Sequence, residues 1–240
     1  MRLIISSDWH CDVKTSGFPR FDDVAAAARQ TVAHAIAVKA DLWAFLGDLA
    51  DPDDGPDALR AVELAVECAV KLGAARIRNL WVMGNHDSIE SGEGRSTLSP
   101  LCALGGWTVV AESPLALQDN ESVVIALPYS PASRPYDLSV FVREIVEQVE
   151  RPGGHGSAVR GVVLGHATHI VGARQGEETL EMPRGRAVRL PVEEFPLGWF
   201  VANGHLHTPQ TTPSGVHIPG SLACLTHGES HTPRFLTVEV

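Results

Sequence analysis

Five short apolar runs, each followed at once by residues of the kinds that bind metal ions, constrain this sequence more than any other feature. The runs occupy residues 3–7, 42–46, 77–83, 161–164 and 199–202. Each has the length and apolar content of a buried strand. Apolar residues with helical spacing separate the first three runs, over residues 22–39 and from Pro56 to about residue 72, where Gly73 is expected to end the helix. Alternating strands and helices predict an α/β fold.

The residues that follow these runs form a repeated pattern. They are Asp8 and His10, Gly47-Asp48, Gly84-Asn85-His86-Asp87, Gly165-His166 and Gly204-His205-Leu206-His207. Because the carboxyl ends of strands in an α/β sheet form the crevice where ligands bind, we expect these side chains to meet at one site. One such pair alone says little, since a Gly-Asp pair is usually only a turn. Its repetition after five strands indicates a functional site.

Imidazole and carboxylate groups together suit Mn²⁺, Fe or Zn²⁺. The candidate ligand residues after the five strands are numerous enough to bind two ions that share one carboxylate. Two divalent ions bring four positive charges, and Asp8 and Asp48 supply the only negative ones, so a hydroxide and one phosphodiester oxygen would complete the balance. Two metal ions roughly 3.5–4 Å apart activate water and stabilise phosphoryl oxygens during in-line displacement. The pattern therefore predicts a two-metal phosphoesterase.

The five blocks, in this order, resemble the calcineurin-like metallophosphoesterases, and they span residues 8–207. The resemblance implies a four-layer α/β-β/α sandwich of two mixed sheets, here taken as a single domain over residues 1–240. It implies one metal held by Asp8, His10, Asp48 and His207, and a second held by Asp48 as a bridge, Asn85, His166 and His205. It also implies that His86 is no ligand but a proton donor to the leaving-group oxygen, or a stabiliser of phosphoryl charge, with Asp87 orienting its ring.

The closing segment carries a narrower resemblance. A Gly-His-x-His-x-Pro-Gln block at residues 204–210, a Pro-Gly-Ser turn at residues 219–221 and the pair Gly228-Glu229 resemble the SbcD-type DNA repair exonucleases and their phage relatives. That resemblance implies a manganese-dependent nuclease that acts on DNA beside an ATPase partner. Such nucleases carry a C-terminal cap that shapes DNA binding, and because this sequence stops at Val240 we expect no such cap here.

The net charge of the chain is also unfavourable for binding a DNA duplex. The net charge is −10, whereas contacts between DNA phosphates and Lys or Arg side chains are what strengthens DNA binding. Eight arginines lie between residues 134 and 189, but seven acidic residues over the same span leave a balance of only +1. A small-substrate phosphodiesterase, for example one acting on 2′,3′-cyclic nucleotides, needs no basic groove and remains open, as does a phosphomonoesterase. A binding module that has lost its chemistry should have lost ligands or His86, and none is missing.

Length and composition narrow the class of protein. The 240 residues suffice for one domain or two small ones, and 44% hydrophobic with 20% charged residues is typical of a globular chain. No apolar run approaches the ~20 residues that span a bilayer, and Asp8 comes too early for a secretory signal. The four cysteines are widely spaced without a C-x-x-C pair, which predicts neither disulfides nor a cysteine zinc site. We therefore expect a cytoplasmic protein without membrane contact.

Overall fold

The structure is a computed structural model that describes residues 1–51, 55–88, 95–118, 121–130, 137–150, 160–175, 178–179 and 189–240. The described helices are α1 (Phe21–Val38), α2 (Pro56–Ala74) and α3 (Leu138–Glu150). The strands are β1 (Arg2–Ser6), β2 (Lys14–Thr15), β3 (Phe18–Pro19), β4 (Leu42–Phe45), β5 (Arg78–Val82), β6 (Thr108–Ala111), β7 (Leu115–Gln118), β8 (Ser122–Leu127), β9 (Arg160–Gly165), β10 (Arg174–Gln175), β11 (Glu178–Thr179), β12 (Phe200–Asn203), β13 (Gln210–Thr211), β14 (His217–Ile218) and β15 (Leu236–Glu239). No described helix has the length and apolar character needed to cross a membrane.

The two long helices of the first half form where helical spacing predicts them, but α2 ends later than expected. Gly73 lies inside the helix, and the chain leaves it at Arg76, whose φ is 58°. The Arg76 N–H donates to the Gly73 carbonyl at 2.9 Å, and the Ile77 N–H donates to the Leu72 carbonyl at 2.9 Å. This is a Schellman ending with arginine in the left-handed position that glycine usually takes, so the prediction that Gly73 ends the helix is wrong.

Two mixed sheets form the centre of the fold. The first has the strand order β15-β1-β4-β5-β6, with β1, β4, β5 and β6 parallel and β15 antiparallel at one edge. The second has the order β13-β14-β12-β9-β8-β7, with a parallel centre and antiparallel strands at both edges. All five apolar runs that carry the polar blocks are strands, three in the first sheet and two in the second.

The alternation of side chains along each strand divides the core into layers. In β4, Trp43 and Phe45 belong to the cluster that includes α1 and α2, whereas Leu42 and Ala44 belong to a cluster shared by both sheets. In β8, alternate residues likewise face the second sheet's own helix, α3, or the partner sheet. The order is therefore helices, sheet, sheet, helix. The predicted four-layer α/β-β/α sandwich is confirmed.

The two sheets meet at the edge where their central parallel strands end. Ser7, just after β1, forms a parallel bridge with Ser221. The Gly204 N–H, after β12, donates to the Gly165 carbonyl at the end of β9 at 2.9 Å. His166 Nδ1 lies 2.5 Å from the Leu46 carbonyl oxygen and so joins the second sheet to the first. The packing of sheet on sheet thus brings five strand ends to one place.

Candidate metal centre

The seven predicted ligand residues converge as two neighbouring groups. Ligand atoms of Asp8, His10 and His207 lie within 4.8 Å of one another, and those of Asp48, His166 and His205 do the same. Asn85 joins the second group through its Oδ1, which lies 3.0 Å from His166 Nε2 and 2.9 Å from His205 Nδ1. All residues predicted as ligands from the strand-end pattern are therefore at this site.

Asp48 stands between the two groups. Its Oδ2 lies 3.6 Å from His10 Nε2, in the first group, and 3.4 Å from His166 Nε2, in the second. Its Oδ1 accepts a hydrogen bond of 2.9 Å from the His86 N–H, which fixes the carboxylate plane. On the first side, His10 Nε2 and His207 Nε2 face each other at 3.2 Å. The carboxylate thus has one oxygen available to both groups.

The backbone at the site is strained. Four of the predicted ligands have a positive φ, namely Asp8 (52°), His10 (42°), Asp48 (63°) and His205 (77°). Few residues other than glycine adopt this conformation, and such strain is concentrated at functional sites. Hydrogen bonds across the strand ends hold it: the Asp8 N–H donates to the Gly47 carbonyl at 2.9 Å, and the His205 N–H donates to Asp8 Oδ1 at 2.9 Å. The surrounding sheets therefore impose the ligand directions.

The glycines of the blocks are required by close approach. A Cβ on Gly84 would lie 2.5 Å from the Asp48 backbone nitrogen and 2.9 Å from His166 Cε1, and closer still to Asp48 Oδ1. A Cβ on Gly204 would lie 2.9 Å from His166 Nδ1 and closer still to the Leu46 carbonyl oxygen. Since real Cβ contacts are longer than this, any side chain at either position would push the ligand residues apart.

Burial shifts the acid–base properties of the ligand residues. Burial raises the pKa of Asp8 to about 6, an increase that attraction to His166 partly offsets and repulsion from Asp48 adds to. Burial lowers the pKa of His10 to about 3 and that of His205 to about 4. At neutral pH both histidines are therefore uncharged, which is the state in which imidazole binds a metal.

Asp48 and His166 form a buried ion pair. Burial opposes charge on both groups, but their mutual attraction outweighs it, so the pKa of Asp48 is held well below its usual range and that of His166 rises to about 9. Asp8 and Asp48 are thus two buried carboxylates near the protonated imidazole of His166. Buried charges of this kind require compensation, and a cation that displaces the His166 proton supplies it. The donor set, with carboxylate, amide and imidazole groups, fits divalent metal ions.

His86 lies at the open edge of the centre. Its side chain is 46% exposed, and its ring centroid is 5.0 Å from that of His10. The carboxylate near its Nδ1 is that of Asp51, with Oδ2 at 3.8 Å. The expectation that Asp87 orients this ring is wrong. Asp87 is buried and its carboxylate instead accepts hydrogen bonds from the N–H groups of Asp48, Leu49 and Gly84 and from the Thr97 hydroxyl.

Glu229, from the Gly-Glu pair of the closing segment, lies beside the centre, and the sequence pattern assigns it no role. Glu229 Oε1 lies 3.1 Å from His207 Nδ1, and its Oε2 accepts a hydrogen bond of 2.7 Å from the Leu225 N–H. A carboxylate on the second nitrogen of a metal-binding histidine fixes its tautomer and ring direction. The sequence shows the Gly-Glu pair as part of a motif, but nothing in the spacing of residues 207 and 229 predicts that their side chains are in contact.

Comparison with known proteins agrees with this geometry. The model of the calcineurin-like phosphoesterase family matches residues 1–209. A search of curated proteins finds no match. Among solved structures, the chain resembles the purple acid phosphatase PPD1 of yellow lupin (Lupinus luteus), with 14% identity over 88% of this chain and a TM-score of 0.53. It also resembles a protein of Thermus thermophilus, with 13% identity over 92% of this chain and 89% of that one and a TM-score of 0.52.

The structural likenesses show the fold alone, because their sequence identity is so low. The chain also spans only 39% of the length of the lupin enzyme. The family model, in contrast, covers most of the present sequence, including every one of the five polar blocks. The protein therefore belongs to the calcineurin-like phosphoesterase family and is a metal-dependent phosphoesterase with a two-metal centre.

Proposed function

We propose that this protein hydrolyses phosphodiester bonds in DNA with two divalent ions, Mn²⁺ first among them. The observation that carries the proposal is the convergence of two groups of ligand atoms with Asp48 facing both. One ion would be held by Asp8, His10, His207 and Asp48, and the other by Asp48, Asn85, His166 and His205. When bound, two such ions lower the pKa of water and neutralise charge on phosphoryl oxygens.

His86 is the residue we assign to the leaving group. It is not a member of either ligand group, and its half-exposed ring leaves it within reach of a substrate that enters from solvent. Its N–H is tied to Asp48 Oδ1, so its position is linked to the centre. A proton transferred from its imidazole to the departing oxygen would contribute the ~10²–10⁴-fold usual for such residues. Asp51, rather than Asp87, is the carboxylate beside the ring, with its Oδ2 3.8 Å from His86 Nδ1.

The closing segment supports DNA as the substrate. The Ser221 N–H donates to the His207 carbonyl at 3.1 Å, and Glu229 contacts the His207 ring, so the parts that resemble SbcD-type nucleases pack against a proposed ligand. An ATPase partner, as in those nucleases, belongs to the same proposal. The resemblance is one of local sequence, and the proposal rests on it together with the two-metal geometry.

One observation favours a second candidate, a phosphodiesterase for small substrates such as 2′,3′-cyclic nucleotides. Of the eight arginines between residues 134 and 189, Arg143 lies 3.5 Å from Glu194, Arg189 lies 2.7 Å from Glu193, and Arg160 donates to the Val240 carbonyl at 2.7 Å. Charges paired in this way offer little to DNA phosphates. The remaining members include Arg134, Arg151, Arg184 and Arg186, which lie outside the described residues.

A side-by-side assay separates the two candidates. Protein loaded with Mn²⁺ is incubated with linear duplex DNA, single-stranded DNA and 2′,3′-cyclic AMP at one protein concentration. The proposal predicts loss of DNA while the cyclic nucleotide stays intact, and loss of all activity with a chelator. Hydrolysis of the cyclic nucleotide alone would establish the second candidate instead.

A matched pair of histidine variants tests the assignment of His86. We expect His86→Ala to keep both metals but to lose turnover by ~10²–10⁴-fold. His34→Ala, which alters a partly buried histidine on α1 that contacts Thr237, serves as the control and should retain wild-type turnover. Loss of a metal ion from His86→Ala would make this residue a ligand and contradict the assignment.

A further inference from the structure

We propose a third cation site, outside the two-metal centre, formed by Cys224, Glu229 and His231. The thiol, a carboxylate oxygen and an imidazole nitrogen of these residues lie within 4.8 Å of one another. All three are partly buried and lie on the loop that follows the Pro-Gly-Ser turn. Of the described residues, this is the one such group beyond the two of the centre.

The hydrogen bonds around His231 leave one of its ring nitrogens free to bind a metal. The Ser221 hydroxyl donates to the Ala223 carbonyl at 2.7 Å, so its oxygen is left to accept from His231 Nε2, 3.3 Å away. Nε2 therefore carries the proton, and Nδ1 has a lone pair. That Nδ1 is buried and makes no hydrogen bond. A buried nitrogen with a lone pair and no donor is suited to a cation.

The ligand chemistry points to zinc. A thiolate is a soft ligand that favours Zn²⁺ over Mg²⁺, Ca²⁺ or Mn²⁺, and imidazole and carboxylate complete common zinc sets. Zn–N and Zn–O bonds of ~2.0–2.2 Å and a Zn–S bond of ~2.3 Å give ligand separations of roughly 3.3–3.6 Å in a tetrahedral site. Since the three atoms lie within 4.8 Å of one another, any pair needs to close by at most ~1.5 Å. Binding would replace the thiol proton of Cys224, which passes to solvent.

The site would be connected to the two-metal centre through Glu229. The same carboxylate lies 3.1 Å from His207 Nδ1, so a cation that holds Glu229 also fixes the direction of His207. The sequence predicts no cysteine zinc site, because its four cysteines are widely spaced without a C-x-x-C pair, and the proposed site differs from that prediction by using only one cysteine. The centre itself contains no sulfur among its proposed ligands, which makes the third site separately measurable.

X-ray absorption at the zinc edge tests the proposal directly. Metal-free full-length protein is loaded with Zn²⁺ alone and freed of excess metal, and its zinc content and zinc–ligand distances are then measured. We expect a sulfur shell at ~2.3 Å in wild type. Cys224→Ser should lack this shell and hold one zinc fewer, whereas Cys102→Ser, which alters an exposed cysteine, should match wild type. A wild type without sulfur, or an unchanged sulfur shell in Cys224→Ser, would overturn the proposal.

A second measurement on wild type guards against a folding defect in the variant. The rate at which iodoacetamide alkylates Cys224 is followed by peptide mass spectrometry, with and without Zn²⁺. We expect Zn²⁺ to slow alkylation of Cys224, a chelator to restore the rate, and His231→Gln to abolish the protection. Equal rates with and without Zn²⁺ would refute the site. Neither readout depends on hydrolysis, so a failure here is distinguishable from a failure of the proposed phosphodiesterase.

Discussion

Replacing Gly84 with alanine is the perturbation whose effect follows most directly from the structure. The new Cβ would lie 2.5 Å from the Asp48 backbone nitrogen, where ordinary contact begins at 3.4 Å, so the β4 end or the β5 end has to move by about 0.9 Å. That movement displaces the carboxylate that faces both ligand groups. A misplacement of ~1 Å in a catalytic site costs ~10²-fold in rate, and overpacking a buried position costs ~1–3 kcal/mol of stability.

The assay compares Gly84→Ala with Gly228→Ala. At Gly228 the nearest atom to a new Cβ is the Thr226 hydroxyl at 4.0 Å, so this variant should match wild type. Turnover of a bis-aryl phosphodiester with Mn²⁺ and the urea midpoint are measured for all three proteins. We expect a loss of turnover of about 100-fold and a lower midpoint for Gly84→Ala only. Turnover and metal content equal to wild type in Gly84→Ala would refute the argument from close approach.

Three further variants test separate parts of the structure. Asp48→Asn should weaken both metals together, by more than the ~10–100-fold that outer-shell changes cost, and calorimetric titration that shows loss of one metal alone would exclude a shared ligand. Hydrogen bonds from Arg29, then Lys71, lower the pKa of Glu67 from 4.5 to about 2. The stabilisation that ionised Glu67 gives the folded protein is therefore complete above pH 4.5 and is lost as the pH falls towards 2. Because these side chains are partly exposed, Glu67→Gln should cost up to ~1 kcal/mol at pH 7 and less at pH 3 in urea unfolding, and an equal cost at both would contradict this. Gly73→Ala, inside α2 with 4.0 Å of room, should stabilise the fold by ~0.4–1 kcal/mol, and a lower urea midpoint would show that the glycine is required.

The sequence predicts the position of the centre well because strand ends carry its residues. Each ligand follows its strand within a few residues, so the strand order of each sheet and the packing of one sheet on the other bring the ligands together. The same reasoning does not distinguish between carboxylates that follow neighbouring strands. Asp87 and Asp51 both lie near His86, but three backbone N–H groups capture the Asp87 carboxylate, and only Asp51 is left beside the ring.

Contacts made by irregular segments were beyond prediction. The hairpin of β2 and β3 pairs only two residues on each side and has no apolar alternation. Glu229 and Cys224 reach their neighbours through a loop without regular structure, whose path depends on hydrogen bonds such as that from the Leu225 N–H to Glu229. The end of α2 depends on Arg76 in a left-handed conformation, which residue type alone does not indicate.

We propose that two cations share Asp48, one in the Asp8 group and one in the His166 group. Anomalous diffraction from crystals soaked in Mn²⁺ tests whether Asp48 is shared, because the anomalous signal locates each manganese ion independently of the ligand positions. We predict two peaks roughly 3.5–4 Å apart, one beside His10 and His207 and the other beside His166 and His205, with an Asp48 oxygen bound to both. A single peak, or two peaks of which Asp48 touches only one, would contradict the account.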